Sequence, residues 1–123
     1  QSTFLALGEA KNSPWRIALR NPLDETSLVE IQLRDCAISG SGMVLHGQHI
    51  IDPHNGLAAD GKMATWAIAS SAALSDALST AFMVMSGDEI ANYCRQHPFI
   101  AALILCDDGS LVQFGAHAGF AIM

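Results

Sequence analysis

Ser70-Ser71-Ala72-Ala73-Leu74-Ser75-Asp76-Ala77-Leu78-Ser79-Thr80-Ala81-Phe82-Met83-Val84-Met85 is the stretch on which the fold depends. Its spacing predicts one amphipathic helix, with Leu74, Leu78, Ala81 and Met85 stacked as the apolar stripe that lies on a core. The opposite side holds Asp76, Ser79 and Thr80, with Met83 beside them on the wheel. A helix face open to bulk water ordinarily carries Lys, Glu and Arg, and this stretch has a single charge. Its polar side is therefore expected against something other than water. Asp76 and Thr80 stand four apart, so their Cβ atoms fall roughly 5–6 Å from each other on one face. A carboxylate and a hydroxyl so placed can converge on one small hard cation or on a phosphate. The same aspartate also suits the positive end of the helix dipole, and on the helix alone both readings stand.

The composition sets the frame around this helix. The chain has 123 residues, 50% of them hydrophobic, which is enough for one domain with a core and too little for two. A net charge of −6 with only six Lys plus Arg argues against an electrostatic grip on nucleic acid or on an anionic membrane. An anionic ligand would need a cation or backbone amides beside it. Cys36, Cys94 and Cys106 lack metal-type spacing, and two of them lie in apolar runs. All three are expected as buried free thiols. No apolar run is long enough for a membrane span. The start, Gln1-Ser2-Thr3-Phe4-Leu5-Ala6-Leu7, has no initiator Met and none of the basic residues or cleavage-site features of a signal peptide. It reads as opening directly in a strand, as a piece of a longer protein would.

Taken in order, Thr3 to Leu7 reads as a strand ending at Gly8, and residues 13–20 alternate as a second, with Trp15, Ile17 and Leu19 on one face. Leu28 to Arg34 alternates again. Asp35 begins a tight connection into Cys36-Ala37-Ile38-Ser39-Gly40-Ser41-Gly42, whose glycines and serines suggest a backbone that must approach something closely. Met43–His46 and His49–Ile51 flank Gly47-Gln48 at hairpin spacing. Asp52 to Lys62 is a turn-rich loop. Met63 to Ala69 is almost continuously apolar and is expected as a central strand covered on both faces. Ser86-Gly87-Asp88-Glu89 is a capping box ahead of a second short helix to Gln96, which His97-Pro98 stops. Ile100 to Cys106 and Leu111 to Phe114 form a hairpin around Asp107-Asp108-Gly109-Ser110. The expected fold is α+β: an antiparallel or mixed sheet with two short helices packed on it. His46, His54, His97 and His117 show no pairing spacing and read as surface or packing residues, and Trp15 and Trp66 read as core.

Several of these segments, in this order, resemble the ApbE-type FAD:protein FMN transferases, a magnesium-dependent family. Phe4–Ala10 is similar to that family's strand ending in glycines, and Pro14–Pro22 to its Trp-Arg-Ile strand closed by Asn-Pro. Ala37-Ile38-Ser39-Gly40 resembles its Thr-Ser-Gly turn, with Ile38 in place of Thr. His49-Ile50-Ile51-Asp52-Pro53 with Gly56 resembles its His-Ile-Ile-Asp-Pro-x-x-Gly loop. Ser75 to Ala81 is similar to its Asp-Ala-Leu-x-Thr-Ala helix. The resemblance runs from Phe4 to about Val112 and corresponds to the C-terminal half of such an enzyme, within a larger ApbE-like domain.

The resemblance implies transfer of FMN from FAD to a Thr or Ser hydroxyl of a target flavoprotein, with release of AMP. It implies Mg2+ held by Asp76 and Thr80, with the Ser79 carbonyl nearby. It places Ser39, Gly40, His49 and Ile51 at the nucleotide, with His49 carrying the acceptor's proton because an imidazole titrates near neutrality. Asp52 either orients His49 or caps its own turn. Ser39 and Gly40 either offer backbone amides to a phosphate or form a plain tight turn. The partners implied are FAD, an acceptor flavoprotein and, for the missing half, a second chain. The location implied is periplasmic or lipid-anchored. A non-catalytic flavin-nucleotide or partner-binding module of the same fold is the alternative, and a folded core that binds nothing is the third.

Overall fold

A computed structural model of the chain describes residues 2–6, 15–21, 26–42, 44–46, 49–51 and 62–122, with side chains described in 15–21, 26–42 and 62–122. In order, the elements are β1 (Ser2–Ala6), β2 (Trp15–Arg20), β3 (Ser27–Leu33), β4 (Cys36–Gly42), β5 (Val44–His46), β6 (His49–Ile51), β7 (Lys62–Ala69), α1 (Ala72–Val84), α2 (Gly87–Gln96), β8 (Ala101–Cys106), β9 (Leu111–Gly115) and β10 (Phe120–Ile122). The two apolar runs, β7 and β8, lie side by side inside a five-stranded sheet of order β1-β4-β7-β8-β9. Every neighbouring pair in it is antiparallel. Both faces are covered, which is why these runs are apolar without alternation. On one face Ala67, Ala69, Ala102 and Ile104 meet Leu78 and Phe82 of α1 and Ile90 and Cys94 of α2. On the other, Ile38, Trp66, Ile68, Leu103 and Leu105 meet Leu19, Ile31, Leu33 and Phe120 from a three-stranded sheet of order β10-β3-β2. The α+β expectation holds, with β7 central and the hairpin β8-β9 as read.

Local chemistry explains the joins. Ser71 caps α1, accepting from the Leu74 amide at 3.2 Å. The capping box at α2 is complete: Ser86 Oγ accepts from the Glu89 amide at 3.1 Å, and Glu89 accepts from the Ser86 amide at 2.9 Å. These bonds hold the Glu89 carboxyl below its ordinary pKa. The β3–β4 corner is Arg34–Asp35, with Asp35 at φ 51, a conformation aspartate tolerates better than most side chains. Gly109, at φ 89, turns the β8-β9 hairpin. All three cysteines are free, as expected; Cys36 and Cys94 are buried and Cys106 is half-buried. Burial pushes the Cys36 and Cys94 thiols up in pKa, which keeps them unreactive.

Three expectations are corrected. Residues 36–42 form a strand between β1 and β7 where a turn was read. The close approach is Gly40 under the Trp66 indole, where a Cβ would lie 2.7 Å from Nε1. Ile38 faces the apolar core of the two sheets. Trp15 is 39% exposed because it begins an edge strand, whereas Trp66 is core. On α1 the buried face is Ser75, Leu78, Ser79, Phe82 and Met83, while Leu74 is 41% exposed. The wheel is rotated toward its serines, which meet serine hydroxyls of β4.

The last strand, β10, was not read from the sequence. It is attached by a knot of bonds at Gly119, whose carbonyl accepts the Arg34 amide at 2.7 Å and whose amide donates to His117 Nδ1 at 2.9 Å. With Nδ1 accepting, the neutral ring carries its proton on Nε2, which lies 3.2 Å from Ser70 Oγ. Burial lowers the His117 pKa. The unfolded chain then takes up the proton first as pH falls, so stability falls with acid below an unfolded imidazole pKa of about 6.5. His117→Asn, whose amide oxygen can accept the same N–H without titrating, is expected to flatten the fall in urea midpoint between about pH 7 and 5. An unchanged slope would assign it to another group.

Candidate functional site

Asp76 and Thr80 sit on the turn of α1 that packs against β4 and β7, and small hydroxyl side chains decide how it packs. Two residues of strand advance about 6.7 Å and four residues of helix about 6 Å, so Ser-x-Ser on a strand can match Ser-x-x-x-Ser on a helix rung for rung. Ser39 Oγ lies 2.8 Å from Ser75 Oγ, and Ser41 Oγ lies 2.9 Å from Ser79 Oγ. From β7, Thr65 Oγ1 donates to the Ser79 carbonyl at 2.6 Å. Ser39, Thr65, Ser75 and Ser79 are fully buried, and no described buried side-chain polar atom lacks a partner. Satisfied neutral bonds of this kind each contribute about 0.5–1.5 kcal/mol net, and a broken one costs more. The seam therefore fixes the helix at short range and in one register, which larger apolar side chains there would prevent.

At the rim of this seam Thr80 is half-buried, with Oγ1 3.3 Å from Ser41 Oγ, and Asp76 is exposed. Carboxylate and hydroxyl thus remain one turn apart at the edge of the helix–sheet junction. Both are hard oxygen donors of the class that Mg2+ accepts, leaving positions for water or phosphate oxygens. The donor set fits that ion. Among the described residues no cluster of three His, Cys, Asp or Glu exists, so a cation here would be held by a mixed set. The Ser79 carbonyl points into the seam and is taken by Thr65.

The other residues read from sequence fall as follows. Ser39 and Gly40 are interior to β4; the amides expected to face a phosphate from a turn are instead in a strand flanked on both sides. His49 and Ile51 lie on β6, paired with His46 and Val44 of β5, and their side chains are outside the described residues, as is Asp52 altogether. His97 stacks on Tyr93 with ring centroids 4.1 Å apart and binds that residue's carbonyl. A cavity of about 470 Å³ lies at the far end of α1, lined by Met85, Glu89, Cys106 and Phe114, with Lys62 Nζ donating to the Met85 carbonyl. It contains none of the site residues. Sequence reading missed Ser41 and Thr65; the Ser-x-Ser spacing of 39 and 41 against 75 and 79 was the available signal.

The α+β fold places the chain with flavin transferases of known structure. It superimposes on the ApbE protein of Thermotoga maritima with a TM-score of 0.69 at 27% identity, covering 87% of this chain and 38% of that one. Flavin transferase ApbE from Vibrio cholerae gives 0.60 at 26%, covering 91% and 38%. The flavinyl transferase ApbE of Pseudomonas stutzeri gives 0.60 at 27%, covering 87% and 38%. In sequence, the FAD:protein FMN transferase of Rhodobacter capsulatus is 30% identical over 114 residues, 85% of this chain and 22% of that protein. The ApbE family pattern matches residues 2–104, and the chain belongs to the ApbE family. It spans well under half the length of these relatives.

Proposed function

We propose that the chain forms the C-terminal part of a magnesium-dependent transferase that moves FMN from FAD to a Thr or Ser hydroxyl of a target flavoprotein, releasing AMP. Family membership supports the reaction class. The observation that carries the assignment to these residues is the Asp76–Thr80 oxygen pair at the rim of a turn fixed by buried hydroxyls. In the reaction, the bond between the FMN phosphorus and the oxygen departing with AMP breaks, and a bond from the same phosphorus to the acceptor oxygen forms. Such transfers depend on neutralising charge and placing the nucleophile in line. Asp76 and Thr80 hold Mg2+ in this reading, which supplies positive charge that an acidic chain lacks. Ser79 holds the turn between them, and Ser39 and Gly40 form the strand beneath it. His49 takes the proton of the acceptor hydroxyl, and Ile51 borders the nucleotide from the same strand. The remainder of the pocket belongs to sequence beyond these residues, in the same polypeptide or in a second chain.

The test is to incubate the full-length encoded protein with FAD, Mg2+ and a Thr-containing acceptor peptide. The expected result is equal amounts of FMN-peptide and AMP, stopped by a chelator. A chain that spans 22% to 38% of its relatives keeps one second reading, a flavin-binding module without turnover. FAD binding with neither product would favour that module.

A further inference from the structure

We infer that Ser41 is a positioning residue: it holds the Thr80 hydroxyl proton inward, so that the lone pairs of Thr80 Oγ1 face outward toward a cation shared with Asp76. The inference rests on the cation reading given under Proposed function. It follows from counting protons along the seam. A serine hydroxyl has one proton to donate. Ser79 Oγ lies 3.0 Å from the Asp76 main-chain carbonyl, which can only accept, so Ser79 spends its proton there. In the 2.9 Å contact with Ser41, Ser79 is then the acceptor and Ser41 the donor. With its proton committed, Ser41 can only accept in the 3.3 Å contact with Thr80, and Thr80 is the donor. The direction of the whole chain is set at its far end: Thr80 to Ser41, Ser41 to Ser79, Ser79 to the Asp76 carbonyl.

The consequence for a cation is direct. A hydroxyl that coordinates a cation must present a lone pair and turn its proton away, and here the fold has already made that choice. Ser41 is a residue of β4 within a sheet, and Ser79 Oγ makes no contact with Thr80 in this chain of bonds, so neither needs to touch the cation. Without Ser79, the Ser41 proton loses its inward acceptor among the described residues and can turn onto Thr80 Oγ1, occupying a lone pair and reversing the chain. Without Ser41, the Thr80 proton loses the inward acceptor that the described residues give it and competes with the cation for the outward side. Groups that orient a metal ligand without contacting the metal typically carry about 10–100-fold in metal affinity.

The test is Mn2+ binding to the full-length protein, followed by electron paramagnetic resonance with no substrate present. Ser41→Ala and Ser79→Ala are each expected to weaken Mn2+ binding by about 10-fold or more, and Ser41→Thr, which keeps the hydroxyl, to stay near the parent. A purely structural role would lower thermal stability in both alanine variants and leave affinity unchanged. If Asp76→Ala loses Mn2+ while Ser41→Ala and Ser79→Ala bind it as the parent does, the positioning role is overturned and the cation reading stands. If Asp76→Ala also binds as the parent does, the cation reading fails and the positioning role with it.

Discussion

Replacing Asp76 with alanine in the full-length protein is expected to lower FMN transfer on the order of 10²- to 10³-fold, the scale of removing one group that answers developing charge in a transition state. With six Lys plus Arg against twelve Asp plus Glu, the chain has little positive charge to spend on a diphosphate. In the proposed reaction a bound cation would supply that charge, and Asp76 is the charged member of the pair at the rim of α1. Its side chain is exposed, so the substitution opens no cavity and the helix keeps its seam through Ser75 and Ser79. Loss of activity with an unchanged circular dichroism spectrum is the expected combination. Asp76→Asn, which keeps the shape and removes the charge, is expected to lose nearly as much. Transfer at the parent rate in either variant would remove Asp76 from the site.

The largest effect on stability is expected from Phe82→Ala, at about 3–5 kcal/mol. Phe82 is fully buried between α1 and the sheet, and its ring meets Tyr93 of α2 edge-on, with centroids 6.1 Å apart and planes at 72°. It ties both helices to the sheet at once. A loss of that size is a large part of the stability of a small domain, about 5–15 kcal/mol, so the urea midpoint should fall steeply. Leu74→Ala, three positions from Ser71 on the exposed side, is expected to cost under about 1 kcal/mol. The reverse order of these two effects would restore the wheel that apolar spacing alone draws.

That contrast marks where the sequence could be read and where it could not. Continuous apolar runs named β7 and β8, the Ser86–Glu89 box named the start of α2, and Asp107–Ser110 named a hairpin, because each signal is local. The orientation of α1 was not legible from hydropathy, since its inward face uses Ser75 and Ser79, which look polar until Ser39 and Ser41 are seen opposite them. For the same reason Cys36–Gly42 looked like a turn: alternating Ser and Gly suits a loop, and here it suits a strand with a helix on one side and an indole on the other. β10 escaped because its attachment is made at Gly119 and Arg34, far apart in sequence. Of the candidate site, the one-turn spacing of Asp76 and Thr80 was legible from helical periodicity. The inner partner Ser41 was hinted at only by the Ser-x-Ser spacing, because the sheet is what brings it to Thr80.

The most direct measurement is an anomalous difference map from crystals of the full-length protein grown with Mn2+ in place of Mg2+. A peak within about 2.0–2.3 Å of both an Asp76 carboxylate oxygen and Thr80 Oγ1 is the result this account predicts. Manganese density elsewhere in the crystal, with those two oxygens bound only to protein or water, would contradict it.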